Sequence, residues 1–383
     1  MRFALYHPWV YLTGGIERVL LELQQRSRHD WVIYTHHLDR ERTFPELAKT
    51  VIELTPRVSV QRELLPLMRA ATTIARTQLP ADGRAGLLVS SEGLGDFVVA
   101  RNHDEPVAVY CHTPLKIVHD PSTRDALRVD SPHKYAAMRL LAPAFVAADR
   151  AAWGEYDHVF ANSEETRRRI VAAGLRDASD VEVLEPGVDV DRFAAASSHP
   201  RERRFLLAGR VMWQKNVELA IDAVRLLSER GIEAPLVVAG TVDDKSSTYA
   251  DSLRARARGL PIEFRIDVSD DELVKLYGSS MAALFTARNE DFGLVPLEAM
   301  AAGTPILAVD AGGPRETVLD GRTGWLRPAT DEAFSLEMQR ILDGTIDIES
   351  MREPARQRAA EFGWQRMVDR VDDAMEQLAS ARG

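Results

Sequence analysis

A chain of 383 residues is too long for one ordinary hydrophobic core, so two domains are expected. Apolar residues at 45% and charged residues at 28% describe a globular protein, and a net charge of −10 argues against a general nucleic-acid binder. The single cysteine, Cys111, excludes an internal disulfide and a cysteine-rich metal site.

The chain opens on a buried strand pattern, RFALY at 2–6. A loop carrying Thr13-Gly14-Gly15 follows, then a helical pattern from Ile16, which makes the start of an α/β unit. WVIYTH (31–36) reads as a second strand, and 61–79 as a helix with Arg62, Arg69 and Arg76 among its apolar positions. GLLVSS (86–91) and VAVYCH (107–112) are strands, 121–154 is rich in helix, and DHVFANS (157–163) is a strand that leads into another helix. VEVLEPGV (181–188) closes this half. The small, polar, Pro-containing stretch 194–203 reads as an interdomain linker. A second alternation then starts with strands at 205–210, 235–241, 262–268, 282–287 and 305–310, and TGWLR (323–327) completes the set. Between them lie helices at 217–231 and 269–280, the latter opened by Ser269 with Glu272 three residues on. The last stretch of about 50 residues is helical in pattern.

Strands joined by helices on both sides of a linker predict two doubly wound parallel sheets facing across a cleft, with ligands at the carboxyl ends of the strands. No apolar run approaches the ~18 residues of a membrane span, and MRFALYHPWV lacks the apolar segment and cleavage site of a signal peptide. The cytoplasm is the expected location, with contact at the inner face of a membrane left open.

Four stretches carry candidate chemistry. In RNEDFGLVPLEAMAAG (288–303), Glu290 and Glu298 flank Gly293 and Pro296. Pro suits the first turn of a helix, so Glu290 is expected in the loop, Glu298 near the first turn, and an anion at the helix start. Gly14 and Gly15 would let backbone N–H groups approach a phosphate, although a tight turn alone would also use them. Arg210 and Lys215, in GRVMWQKN, suit a diphosphate and the charge that grows as it leaves; an exposed surface pair is the competing reading. His112 ends a strand, either as a satisfied histidine or as a polar contact and modest acid–base group. Asp189 and Asp191 imitate a metal-binding D-x-D but read better as a turn and helix cap, and Asp243-Asp244 as a solvated loop. No histidine pattern has metal-ligand spacing.

Taken together these stretches resemble the retaining glycosyltransferase family 4, with the two-Rossmann GT-B fold. TGGIERVLLEL, FANSEETRRRI, LEPGVDVDRF, FLLAGRVMWQKNVELAIDAV and NEDFGLVPLEAMAAGTPILAVDAGGPRETVLDGRTGWL carry the resemblance in order along the chain. Pro186 stands where asparagine is common in the family. The resemblance implies an acceptor domain at 1–193, a donor domain at 204–361, and a last helix at about 362–383 that crosses back to the first domain.

It also implies roles. Gly14 and Gly15 would contact the diphosphate, and Arg210 and Lys215 its oxygens. Glu290 would take sugar hydroxyls, with the backbone N–H groups of Phe292, Gly293 and Leu294 touching sugar and phosphate. Glu298 would hold the ribose, Thr241 and Val268 would border the base, and His112 would sit beside the donor sugar. The implied reaction moves a hexose, mannose first, from a nucleotide diphosphate sugar to an acceptor hydroxyl by same-face substitution. No metal or other cofactor is called for. UDP-glucose or UDP-N-acetylglucosamine is the alternative donor, and a GT-B sugar-nucleotide epimerase or a module that binds without turnover are the rival functions. The acceptor would be a saccharide, a glycolipid or a small molecule bound around 60–140.

Overall fold

The computed structural model describes residues 1–61, 63–81, 83–243 and 246–382, so Arg62 and Asp244 lie outside the described residues. The chain divides into two compact units, Met1–Pro186 with Gln365–Gly383, and Gly187–Trp364.

Unit 1 is built on seven parallel strands: β1 (Arg2–Tyr6), β2 (Asp30–Thr35), β3 (Ile52–Glu53), β4 (Leu87–Ser91), β5 (Val107–Cys111), β6 (His158–Ala161) and β7 (Glu182–Val183). Their order across the sheet is β3-β2-β1-β4-β5-β6-β7. A parallel sheet covered on both faces needs apolar residues throughout its central strands. RFALY, LLVSS and VAVYC meet that need, and Leu5 pairs with both Ile33 and Leu88. The two-residue β3 and the short helix Pro45–Thr50 before it have too little periodicity to be read from sequence. The helix expected over 61–79 runs Leu64–Arg76.

The helix Trp364–Arg382 completes unit 1. Val368, Val371 and Met375 are fully buried, and the carboxylate of Asp372 accepts from Ser27 Oγ at 2.7 Å and from the Arg28 backbone N–H at 3.0 Å. Arg370 forks onto both carboxylate oxygens of Glu182, at 2.6 Å each.

Unit 2 carries six parallel strands: β8 (Glu202–Ala208), β9 (Leu236–Gly240), β10 (Ile262–Ile266), β11 (Ser280–Phe285), β12 (Ile306–Val309) and β13 (Gly324–Arg327). The order is β10-β9-β8-β11-β12-β13.

The division falls at Pro186–Gly187 and not within 194–203. Residues 190–198 are not a free linker: they form helical turns that belong to unit 2, where the buried Phe193 ring stands edge-on to Tyr277 at 5.6 Å. Small and polar composition here reflects tight packing. A Cβ on Gly278, for example, would come within 2.2 Å of the Ala196 carbonyl. At the far end, Val188 donates its N–H to Phe362 O at 2.8 Å, which joins the two ends of unit 2.

Candidate active site

In each sheet the chain reverses direction of growth once, and that point leaves a crevice at the carboxyl ends of two strands. In unit 2 the reversal lies between β8 and β11. The turn after β8 carries Lys215 and the loop after β11 carries Glu290, and Lys215 Nζ donates to Glu290 Oε2 at 2.8 Å. Both side chains remain about one-fifth exposed, at 22% and 23%. The Lys215 turn is tied to the segment after β11: Thr286 Oγ1 donates to Lys215 O at 2.7 Å, and the Arg288 N–H to Gln214 O at 2.8 Å. Arg288 Nη2 donates to Asn216 Oδ1 at 2.5 Å, and Asn216 adopts a left-handed conformation (φ 50°) that starts the helix Val217–Glu229. Arg210 is exposed just after β8, and among the described residues its guanidinium has no hydrogen-bond or ion-pair partner.

The helix after Glu290 runs Leu294–Ala301 and is capped by Gly293 at φ 85°, a backbone conformation that favours glycine. It starts two residues before Pro296, so Glu298 stands in its second turn and not its first. Among the described residues no protein group accepts from the N–H groups of Phe292, Gly293, Leu294 and Val295. A helix start with unpaired donors beside a lysine has the geometry to accept an anion. Glu298 Oε2 accepts from the buried Tyr277 hydroxyl at 2.8 Å. Burial and the adjacent Glu298 carboxylate raise the Tyr277 pKa well above its ordinary value, so the phenol stays a donor. Thr241 follows β9, its carbonyl taken by the Val211 N–H at 2.9 Å, and Val268 lies two residues beyond β10.

In unit 1 the reversal lies between β1 and β4. Gly14 caps the helix Gly15–Arg26, and among the described residues the N–H groups of Gly14, Gly15 and Ile16 have no protein partner. His112, which follows β5, is buried (7% exposed), and its Nε2 lies 2.9 Å from Ser90 Oγ. Ser90 O in turn accepts from His7 Nδ1 at 2.7 Å. Burial, with His7 adding to it, lowers the His112 pKa to about 3. The imidazole is therefore neutral at physiological pH, which makes His112 a hydrogen-bonding group and a poor proton carrier.

The structure thus joins Lys215 to Glu290 and sets both beside the helix start at Gly293. It places Arg210, Thr241, Val268 and Glu298 in the same unit, while Gly14, Gly15 and His112 belong to unit 1. Sequence reading missed Tyr277, Arg288 and His7, which support Glu298, the Lys215 turn and Ser90 respectively. Only His7 had a signal, its place directly after the first strand. Asp189 serves as a cap, accepting from the Arg192 N–H at 3.2 Å, and among the described residues no three of His, Cys, Asp and Glu converge as a metal-holding group.

Comparison with known proteins covers most of the chain in two parts. Residues 13–192 match the model described as Glycosyltransferase Family 4, and residues 190–358 the model described as Glycosyl transferases group 1. The chain is 26% identical to the alpha-1,3/1,6-mannosyltransferase alg-2 of Neurospora crassa, across 95% of this chain and 88% of that one. It is 28% identical to a D-inositol 3-phosphate glycosyltransferase of Streptomyces avermitilis, across 94% and 82%. Among solved structures it superposes on HepE of Anabaena in complex with UDP at a TM-score of 0.71 (18% identity, 98% and 100% covered). It also superposes on the lipopolysaccharide glycosyltransferase WaaG at 0.68 (17% identity, 97% and 99% covered). The fold is GT-B, two Rossmann-like parallel-sheet units. Two family models that meet end to end, over a lysine, two glutamates and a bare helix start at a sheet's reversal point, leave one assignment: the chain belongs to glycosyltransferase family 4 and is a glycosyltransferase.

Proposed function

We propose that the enzyme moves a hexose, mannose first, from a nucleotide diphosphate sugar to a hydroxyl of a saccharide, glycolipid or small-molecule acceptor, with retention at the anomeric carbon. The observation that carries this reading is the meeting of Lys215 and Glu290 beside the unpaired N–H groups at Gly293–Val295. A cation and a bare helix start suit a diphosphate, and a partly exposed carboxylate suits sugar hydroxyls.

In this scheme the acceptor oxygen bonds to the anomeric carbon on the face from which the diphosphate departs. The bond between that carbon and the phosphate oxygen breaks, and a departing phosphate oxygen takes the acceptor proton. Arg210, Lys215 and the amides of Phe292, Gly293 and Leu294 stabilise the leaving charge. Gly14 and Gly15 add amides to the diphosphate. Glu298 takes the ribose hydroxyls, Thr241 and Val268 border the base, and neutral His112 hydrogen-bonds the sugar. The scheme calls for no metal, and turnover retained in a chelator is its check.

Mannose is favoured because the Neurospora crassa and Kluyveromyces lactis relatives are named mannosyltransferases. A UDP-hexose donor is the second reading, favoured by the structural similarity to HepE with UDP-glucose. We place the reaction in the cytoplasm. Among the described residues no helix is long and apolar enough to cross a membrane. The exposed Leu65 and Met68 on the helix Leu64–Arg76 favour contact with a membrane surface.

A thermal-shift panel of GDP-, UDP-, ADP- and TDP-sugars tests the donor, because a ligand that binds the folded chain raises its midpoint by mass action. GDP-mannose should give the largest shift. A shift with UDP-sugars alone moves the assignment to the second reading, and no shift with any of them overturns the nucleotide-sugar donor.

A further inference from the structure

Glu17 is the third residue of the helix Gly15–Arg26 and is buried, at 4% exposure. Its Oε1 accepts from the backbone N–H groups of Leu12 at 3.2 Å and Tyr11 at 3.4 Å. An acid at this helix position ordinarily reaches back to the N–H of the capping residue. Here the cap is Gly14, and the carboxylate reaches past it into the preceding loop. Buried Thr43 holds the same segment from its other polar group, donating from Oγ1 to Leu12 O at 3.1 Å. Leu12 is thereby tied at both N–H and C=O. The amides of Gly14, Gly15 and Ile16 are left without a protein partner among the described residues.

Gly14 has φ −97° and ψ 179°, which any residue can adopt. Its backbone therefore does not explain a glycine. Space does: a Cβ at this position would stand 2.8 Å from Glu17 Oε2. The start of the helix also stabilises the negative charge that burial disfavours.

We propose that Glu17 is a positioning residue for the donor diphosphate. It fixes Tyr11 and Leu12 so that the amides of Gly14, Gly15 and Ile16 converge on an anion, and Gly14 lacks a side chain in order to admit that carboxylate. This role rests on the reading of the glycine loop as a diphosphate contact.

The test uses the full chain and GDP and UDP as probes, with calorimetric titration for affinity and amide hydrogen exchange over residues 8–16 for loop order. Glu17→Ala should weaken nucleoside diphosphate binding about ten-fold and speed exchange at Tyr11 and Leu12 by a similar factor. Glu17→Gln keeps a carbonyl oxygen for the two amides and should recover most of both. Gly14→Ala should weaken binding in the parent but add little on top of Glu17→Ala, because no carboxylate remains to be displaced. Additive losses in the Gly14→Ala/Glu17→Ala double variant overturn the coupling, as does parental exchange at Tyr11 and Leu12 in Glu17→Ala. Faster exchange with unchanged nucleoside diphosphate affinity overturns instead the diphosphate reading beneath it.

Discussion

The two glutamates of the 288–303 stretch differ in surroundings, and so should their variants. Glu298 is held by Tyr277, and under the proposed function it also takes the ribose. Glu298→Ala should weaken nucleoside diphosphate binding by about 1.5–3 kcal/mol, the loss of a charge-assisted hydrogen bond in a desolvated site. Glu290→Ala should leave that affinity largely intact and cut turnover. Titration calorimetry beside initial rates separates the two, and equal binding losses would refute the division. Lys215→Ala should lower turnover sharply, and near-normal rates would remove it from the leaving-group role.

A further residue-scale expectation concerns stability. Asp96 is buried and takes hydrogen bonds from Tyr156 Oη at 2.6 Å and Ser91 Oγ at 2.9 Å. Burial, reinforced by Asp149, raises its pKa to about 7. A raised carboxyl binds its proton more tightly in the folded than in the unfolded chain. Its contribution is thus full in acid, below the unfolded value of about 3.9, and is lost as pH rises toward 7. Asp96→Asn removes that loss, so its melting temperature should gain on the parent between about pH 4 and about pH 7. A constant difference across that range would show that Asp96 is already ionised in the folded protein.

At the scale of elements, the helix Leu294–Ala301 depends on the loop that precedes it. Gly293 needs its positive φ, and a Cβ there would lie 2.9 Å from Phe285 Cζ. The backbone of that loop is also crowded from behind, since a Cβ on Gly313 would stand 1.9 Å from Phe292 O. Gly313→Ala should therefore shift the Phe292 amide and weaken nucleoside diphosphate binding, as should Gly293→Ala, which strains a positive-φ backbone as well as meeting the Phe285 ring. Titration calorimetry of both variants checks this, and parental affinity in either would count against a diphosphate contact by this loop. The elements legible in the sequence were those with a long apolar run or a marked end, such as LLVSS, VAVYC and the Ser269-capped helix, whose cap accepts from the Glu272 N–H at 3.2 Å. The helix Leu294–Ala301 holds Pro296 within its first turn, as expected, but begins two residues before it, so Glu298 falls in the second turn and not the first.

For the whole molecule, the chain returns to unit 1 through the helix Trp364–Arg382. Met367, Val368, Val371 and Met375 are fully buried there. At about 1.5–3 kcal/mol for each buried side chain, their removal approaches the whole stability of an ordinary domain, about 5–15 kcal/mol. A chain ending at residue 364 should lose the unfolding transition of unit 1 while unit 2 retains its own, as read by scanning calorimetry and limited proteolysis. An unchanged pair of transitions would count against that role for the helix.

The order of apolar runs, glycine turns and helix signals determined by itself that this protein has two parallel-sheet units and which loops are the candidates for its chemistry. Those features are local, because a buried parallel strand must be apolar and a phosphate-binding turn must be small. Only the tertiary structure decided the partners: Lys215 with Glu290, Tyr277 with Glu298, Ser90 with His112, and Glu17 with the loop before it. The first two pairs join residues 75 and 21 positions apart. No local pattern encodes such contacts, since they follow from the place where each sheet reverses its order. The burial that makes His112 neutral is likewise set by what packs around it, so its chemistry could be read only once the fold was known.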